Sequence, residues 1–511
     1  MRYIKELVDI THGSASLASL ADYDNTDAIA QLYRAIRGGS DATETEVARL
    51  VYGPKATPRL PAYQKLKSRL RNSLLDALLL DNPQDKPDYS NYAATYRTLR
   101  RQYASAQILA TTRAYHNAAR LLERIYRVAE KNHMTEMQYL TSKALTGLFL
   151  GLVYDKRKFS LYSERLGRHR QEFVVLNDSI QAVYQFKAAL YNRNGPTIDI
   201  GKLALTKAKE LQPLAEGDFA TYTVKSNYLY LSAYGHYLHG HFRQSIKFAR
   251  EAEAMIQQLD IKSTRKLYRF RILRVQAHGF LGEISAGYQI MDHIESGMKA
   301  GTVNWLDLME EKSLFCLRNG LYDDAVRFVT PVSRKRIMHK LSENLSQTWE
   351  VIFAILHLLD LCGELREETW SDKRGNFRLQ RFLNKLPTYA KEKRGINVLI
   401  LVLHTIFLII LERFDEVIDR VEALEKYCSR YLTNDSHLRS NCFIKMLTAT
   451  VKGNFHAVAT KRYAQRYQER LLDTKPDLID RVGNLEIIPY EKLWEILQRY
   501  LGTTIHEVRA R

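Results

Sequence analysis

The chain has 511 residues, of which 45% are hydrophobic and 26% are charged, and it carries a formal net charge of +19. This composition excludes a disordered or collagen-like polymer, because nearly half of the residues can contribute to a buried core. The positive charge indicates an acidic partner, which is nucleic acid, an anionic surface or an acidic protein. A solvated helical surface that is rich in Arg and Lys is the simpler alternative.

Proline and cysteine usage further restricts the fold class and the expected cellular compartment. Only four prolines lie between residues 88 and 475, which indicates a mostly helical chain. The N-terminal residues lack the apolar core of a signal peptide, so we expect a cytoplasmic protein. The cysteines are scattered and never have CxxC spacing, which predicts reduced, buried thiols at Cys316, Cys362, Cys428 and Cys442.

Residues 1–88 differ from the rest and predict a small basic helical domain with a linker. Helices are expected over Thr26–Arg37, Thr43–Val51 and Tyr63–Leu80, and Thr43 with Glu46 has the spacing of a capping box. Cations lie near the start of the third helix, at Lys65, Lys67, Arg69 and Arg71.

Two short helices before a basic helix are typical of a helix-turn-helix order. The stretch Val47–Leu78 also resembles the winged-helix part of bacterial regulators that join such a domain to helical repeats. This resemblance implies that the basic helix binds DNA. The alternative is a small helical cap that covers the first repeat, because solenoids need capped ends.

A short motif recurs between residues 92 and 470. It consists of Gly or a polar residue, an aromatic or aliphatic residue two positions later, and a small residue three positions after that. Gly240-x-Phe242-x-x-Ser245 is one clear copy, and apolar residues on both sides of it follow the helical spacing of three or four. The motif therefore predicts the elbow of an antiparallel helical hairpin. Further copies are centred on Tyr115, Phe159, Ile284, Tyr322, Phe414 and Phe455.

The spacing of these copies predicts a repeat architecture. Neighbouring copies lie 38 to 44 residues apart, except for two intervals of 83 and 92 residues. Both long intervals are close to twice the period, so they predict further elbows near Gly195-Pro196 and near Gly375-Asn376-Phe377. About nine helical hairpins with a period near 40 indicate a solenoid.

The elbow resembles the middle of a tetratricopeptide repeat, most clearly over Gly240–Ala249 and Gly320–Val329. The period exceeds the 34 residues of that family, so longer helices are expected. The resemblance implies an all-α, right-handed superhelical solenoid over residues 89–472 that binds a peptide or protein surface in its concave groove. Residues 473–511 predict a C-terminal cap, in which Tyr490–Leu501 is one amphipathic helix.

A second basic stretch, Lys262–Arg274, interleaves cations with aromatic residues. Arg265 and Arg269 share one helical face, and Tyr268 lies beside them. A groove for single-stranded nucleic acid requires such a pattern. The same pattern arises when Tyr packs between helices and Arg faces water, so both interpretations stay open.

Catalytic motifs are missing from the sequence. It has no Walker-type loop, no GxSxG, no HExxH and no paired CxxC, and no run of strands that could form an enzyme core. His236, His239 and His241 cluster at one elbow, but a metal site needs more ligands, so we expect no metal there. The apolar stretch Val398–Leu411 is shorter than the roughly 20 residues of a membrane span, so a buried helix with His404 as a core residue, hydrogen-bonded to backbone, is expected.

The sequence therefore predicts a non-enzymatic scaffold or adaptor that holds a protein or peptide partner, without a cofactor and without a membrane segment. The alternative is a nucleic-acid-associated regulator or sensor. Its expected binding residues are Lys65, Lys67, Arg69 and Arg71 in the N-terminal domain, or Arg265, Tyr268 and Arg269 in the repeats.

Overall fold

A computed structural model describes residues 2–11, 28–38, 43–80, 91–192, 197–259, 264–334, 343–366, 377–384, 395–431, 438–474 and 486–509. Every regular element in these residues is a helix, which confirms the predicted all-α class. The described residues form two compact units, one that ends at Leu166 and one that begins at Gly167.

The first unit begins with the helices that the sequence predicts. The predicted helices after residue 25 are confirmed with small shifts of their ends, and the capping box is present: the Glu46 N–H donates to Thr43 Oγ1 at 3.3 Å, and the Thr43 N–H donates to Glu46 Oε2 at 2.7 Å. The elements are α1 (Arg2–Thr11), α2 (Ala28–Gly38), α3 (Glu44–Tyr52), α4 (Pro61–Leu80), α5 (Asn91–Thr111), α6 (Tyr115–Lys131), α7 (Thr135–Gly147), a π-helical turn (Leu148–Leu152) and the start of α8 (Lys156–Asn192).

The second unit continues as helices that pack mainly on their sequence neighbours. Its elements after α8 are α9 (Thr197–Glu216), α10 (Tyr222–Leu238), α11 (Phe242–Gln257), α12 (Thr264–Phe280), α13 (Ile284–Glu295), α14 (Val303–Arg318), α15 (Tyr322–Arg334), α16 (Glu343–Leu361), α17 (Leu379–Asn384), α18 (Gly395–Ile410), α19 (Phe414–Tyr431), α20 (Leu438–Lys452), α21 (Ala457–Leu472) and α22 (Tyr490–Arg509).

Eight helix ends in the described residues share one backbone hydrogen-bond pattern. At each, a residue has a left-handed φ (at Asn454 the next residue, Phe455, has one too), and the N–H of the following residue donates to the carbonyl five positions before that residue, at 2.8–3.0 Å. The left-handed residue itself donates to the carbonyl three positions earlier. This is the Schellman motif, which ends a helix and satisfies its last carbonyls. The left-handed residues are Arg113, His133, Gly240, Gly282, Gly320, Gly363, Glu412 and Asn454.

Most of the predicted elbows are confirmed. The left-handed residue occupies the expected first position of the motif at Arg113, Glu412 and the glycines of the three clearest copies. In the last copy it is Asn454 rather than the preceding Gly453. The elbow expected at Arg157 is wrong by a few residues, because Arg157 already lies in α8 and the break between helices is at Val153–Asp155.

Two elbows were not predicted. At His133 the motif fails because Thr135 stands where an aromatic or aliphatic residue was required. At Gly363 it fails because Glu368 stands where a small residue was required. Gly363 fills the long interval for which an elbow was expected near Gly375. Gly375 itself, like Gly195-Pro196, lies outside the described residues.

The small residue of the motif lets two helices approach closely. Ser245 and Ala325, which hold this position in two hairpins, are fully buried. At Gly287 an added Cβ would lie 2.5 Å from Cζ of Phe315, so only glycine fits against this ring. Further contacts link α10, α12, α14 and α16 in that order, so the first helices of successive hairpins touch one another.

The apolar stretch near residue 400 forms α18, and its residues from Leu399 to Ile410 are buried, which confirms the predicted core helix. Among the described helices, none combines the length and the apolarity that a bilayer span requires.

A buried arginine joins α20 to the C-terminal helix. The Arg439 guanidinium donates to both carboxylates of a pair, Glu486 and Glu491, and to the backbone carbonyls of Leu471 and Thr474. Arg439 and Glu486 are each 5% exposed. The predicted apolar face of α22 is confirmed, since its members are buried: Trp494, Ile496, Leu497 and Leu501.

Replacement of this arginine should destabilise the second unit strongly. We expect Arg439→Ala to lower the free energy of unfolding by about 3–5 kcal/mol, because Glu486 would remain buried without a partner. The exposed control Arg470→Ala should change it by less than about 0.5 kcal/mol. Urea unfolding followed by circular dichroism measures both, and equal midpoints for the two variants would contradict this role of Arg439.

Candidate partner-binding surfaces

The four cations of α4 do not form one surface. Residues four apart share a helical face, so Lys65 and Arg69 lie on one face of α4, and Lys67 and Arg71 lie on another. Lys65 and Arg69 are exposed. Lys67 is half-buried, and its Nζ lies 2.6 Å from Glu44 Oε1 in α3. One of the four predicted binding residues is therefore already held in an ion pair.

A groove separates α1 from the Lys67–Arg71 face of α4. Its volume is about 710 Å³, and Tyr3, Ile10 and Leu75 line it together with Lys67 and Arg71. All three apolar side chains are at least 44% exposed. The groove is thus apolar with a basic edge, a composition that the predicted helix-turn-helix interpretation does not require.

In α12 the structure separates the predicted tyrosine from the predicted arginines. Arg265 is exposed and Arg269 is half-buried one turn further along the same face. Tyr268 packs instead against the large hydrophobic cluster of the second unit. Tyr268 therefore contributes to packing within the protein, which is the second of the two interpretations of this stretch.

Other residues complete a surface around Arg269, which we term the basic cluster: Lys187 of α8 and Arg265, Lys266 and Arg269 of α12, with the rings of Tyr222 and Tyr230 of α10. Lys187 Nζ lies 5.5 Å from the centre of the Tyr230 ring, and Lys266 Nζ lies 4.9 Å from the centre of the Tyr222 ring. Sequence reasoning missed Lys187, Tyr222 and Tyr230, because they are distant from α12 along the chain.

Contacts between helices fix this cluster. Asn227 Nδ2 of α10 donates to Ser179 Oγ of α8 at 3.0 Å. The Tyr230 ring packs edge-on against Phe186 of α8 and Phe270 of α12, with ring centres 6.0 and 6.3 Å apart. Because Tyr230 touches both neighbouring helices, it sets the distance between Lys187 and the cations of α12.

The cations of the cluster repel one another. Burial lowers the pKa of Lys187 to about 8, and the charges of Arg269 and Arg265 contribute to the shift. Burial also lowers the pKa of Lys266 to about 8, with a further contribution from Arg269. An anion bound here would relieve this repulsion and raise both pKa values, so the cluster is suited to a carboxylate or another anionic group.

A second basic surface lies between α20 and α21, which we term the α20–α21 groove. Its volume is about 430 Å³, and its lining combines cations with two tyrosines. None of its residues was predicted as a site, since the basic residues of α21 alternate with polar ones and form no continuous run. The charged and aromatic lining is Lys445, Lys452, Arg462, Arg466, Glu469, Tyr463 and Tyr467.

Neither the histidine cluster nor Cys316 provides a reactive centre. The rings of His236 and His241 have centres 5.9 Å apart, and His239 Nδ1 lies 2.9 Å from the Gly235 carbonyl. Within the described part of the chain no three His, Cys, Asp or Glu residues are grouped to hold a metal ion. Burial raises the pKa of the Cys316 thiol to about 12, so this thiol is protonated and unreactive near neutral pH.

His404 is a core residue, as predicted, and is 5% exposed. Its Nδ1 has no hydrogen-bond partner among the described residues, which differs from the expected backbone hydrogen bond at this atom. Burial, with the nearby Arg420 and Arg413, lowers the pKa of His404 to about 4.

His404 should therefore make the protein less stable in acid. Because its pKa is about 4 when folded and about 6.5 when unfolded, the unfolded chain takes up a proton first as pH falls. We expect a loss of up to about 3 kcal/mol between these pH values. His404→Leu should remove this part of the pH dependence, whereas the exposed control His293→Leu should keep it. Urea unfolding at pH 7 and pH 5 measures the change in the free energy of unfolding between these pH values. An equal change in both variants would contradict this role of His404.

Comparison with known proteins does not assign a family. No protein-family model matches the sequence, and no curated protein and no solved structure is significantly similar to the chain. The likeness to tetratricopeptide repeats therefore rests on the elbow residues alone, and function has to be inferred from the surfaces described above.

Proposed function

We propose that the chain is a non-enzymatic helical-repeat adaptor that binds an acidic segment of a protein or peptide partner at the basic cluster. The observation that carries this proposal is the convergence of Lys187, Lys266 and Arg269 from two helices, with both lysine pKa values lowered to about 8. Folding places these like charges together at a cost in stability, which an acidic ligand would offset.

The proposed architecture is a right-handed superhelix of tetratricopeptide-like hairpins. The Schellman elbows support it, because each ends one helix with the same hydrogen-bond pattern just before the next helix begins. The successive contacts of α10, α12, α14 and α16 support it as well, since the first helices of stacked hairpins line one side of such a solenoid. Tyr222, Tyr230, Lys266 and Arg269 lie on two of these helices.

The packing of the rings favours a carboxylate ligand over a nucleobase at this cluster. Tyr230 is enclosed by Phe186, Tyr234 and Phe270, with ring centres 4.7 to 6.3 Å away, and Lys187 covers it. A base needs an open ring face for stacking, whereas a carboxylate needs only the cations.

Neutralisation of the cluster should abolish partner capture. We expect Lys187→Gln/Arg269→Gln to reduce the amount of the main protein partner by about tenfold or more, because two desolvated charge contacts are lost. The measurement is a pull-down from the source cells in nuclease-treated extract, quantified by mass spectrometry.

The matched control is Lys247→Gln/Arg250→Gln, which removes two exposed charges from α11 of the same hairpin. It should capture the partner normally. Equal loss in both variants would overturn the assignment of the site. Loss of every partner on nuclease treatment would instead favour the alternative function, a nucleic-acid-associated regulator.

The affinity for an acidic ligand should fall as pH rises through 8, because the two lysines of pKa about 8 then lose the proton that the ligand needs. Lys187→Arg/Lys266→Arg should hold its affinity to pH 9.5, since arginine stays charged. Fluorescence anisotropy with a labelled decaglutamate peptide at pH 7.0, 8.0 and 9.5 tests this. A wild-type affinity that is constant over this range would show that these lysines do not bind the ligand.

A further inference from the structure

We propose that the α20–α21 groove binds single-stranded nucleic acid. This inference does not depend on the proposed function, because the groove shares no residue with the basic cluster. The ligand class follows from three properties of the lining: cations on both walls, tyrosine rings beside the arginines, and an open volume of about 430 Å³.

Cations from both helices face the groove. Lys445 and Lys452 come from α20, and Arg462 and Arg466 come from α21. Arg462 and Arg466 are one helical turn apart, which places them about 6 Å apart along the axis on one face. Lys452 and both arginines are exposed. Such a row of cations can follow a phosphate backbone.

The tyrosines form a second row beside the arginines. Tyr463 and Tyr467 are also one turn apart, and Tyr463 is 45% exposed. The guanidinium carbon of Arg462 lies 5.2 Å from the centre of the Tyr463 ring, and that of Arg466 lies 4.5 Å from the centre of the Tyr467 ring. One face of each ring is thus covered by a guanidinium, so a base would stack on the exposed part of the Tyr463 ring, whereas Tyr467 packs partly against the large hydrophobic cluster of the second unit.

The carboxylates near the groove do not neutralise it. Lys445 Nζ is paired with Glu425 Oε1 at 2.9 Å, and Glu469 Oε1 accepts from Gln465 Nε2 at 3.0 Å. Lys452 also interacts electrostatically with Glu425, but among the described residues no carboxylate lies within ion-pair distance of Arg462 or Arg466. The groove therefore keeps a positive surface that attracts an anionic polymer.

An exposed ring distinguishes this groove from the basic cluster, where the rings are enclosed. An acidic peptide would use the cations of the groove and leave Tyr463 without a role. A duplex keeps its bases stacked inside, so it would also leave the ring unused. Unpaired bases are the ligand that uses both rows.

The test is fluorescence anisotropy of the full chain, carrying Lys187→Gln/Arg269→Gln so that the basic cluster does not bind the acidic probe, with fluorescein-labelled dT20 between 50 and 200 mM salt. With about three phosphate contacts, the plot of log affinity against log salt should have a slope of about −2, since each contact on a single strand contributes about −0.7. A 20-base-pair duplex and a 20-residue polyglutamate, each with the same label, should bind at least tenfold more weakly.

Two double variants test the contributions of the arginines and of the tyrosines to binding separately. Arg462→Gln/Arg466→Gln should make the slope shallower by about 1.4, which corresponds to two lost contacts. Tyr463→Leu/Tyr467→Leu should weaken binding about tenfold or more without a change in slope, because stacking does not release counterions. Tyr463→Phe/Tyr467→Phe keeps both rings and should bind like the parent protein, which would show that the rings rather than their hydroxyl groups contribute the affinity.

The matched control is Arg120→Gln/Arg124→Gln, two exposed arginines with the same spacing on α6, which should leave the affinity for dT20 unchanged. The proposal is overturned if this control weakens binding as much as the groove variant, because binding would then reflect net charge alone. It is also overturned if polyglutamate or the duplex binds as tightly as dT20, since the ligand would then be an acidic protein or double-stranded nucleic acid.

Discussion

The left-handed residue at each elbow is the constraint on which the rest of the structure depends. A helix that ends in a Schellman motif satisfies its last carbonyls and releases the chain at a fixed angle. The hydrogen bond after the elbow is 2.9 Å at Gly240, Gly282 and Gly320 alike, so three consecutive hairpins end their first helix in the same way. Only then can the small residue one turn later, such as Gly287 of α13, pack closely against the next hairpin, here at Phe315 of α14.

Packing of the helices pairs some cations with carboxylates and places others beside further cations. Arg274 of α12 turns toward α11, where its Nη1 lies 2.8 Å from Glu253 Oε1, and Lys312 is buried with its Nζ 3.0 Å from Asp292 Oδ1. Arg269, on the same helix as Arg274, instead lies close enough to Lys187 for its charge to lower the pKa of that lysine. A charge that folding already pairs stabilises the helices, whereas a charge beside other cations is available to a partner. This difference favours the basic cluster as the site over the rest of a basic surface.

Sequence reasoning predicted the helical class, the capping box at Thr43 and most elbows, because these depend on residues within one or two turns of each other. It missed His133 and Gly363, where a backbone hydrogen-bond pattern forms without the side chains that the motif required. It predicted Arg265 and Arg269 but not Lys187, because only tertiary packing through Tyr230 brings α8 to them. The α20–α21 groove was missed for the same reason, since its two walls are separate helices. The superhelical arrangement and its handedness remain proposals.

The central claim is that Lys187 and Lys266 are held among like charges until an acidic ligand binds. The direct measurement is the pH dependence of acetylation at each lysine, followed by mass spectrometry. Apparent pKa values near 8 for both lysines, which rise toward the usual lysine value of about 10.4 when decaglutamate is bound, are the expected result. Values near 10.4 in the free protein, or values near 8 that do not change with the peptide, would contradict the account.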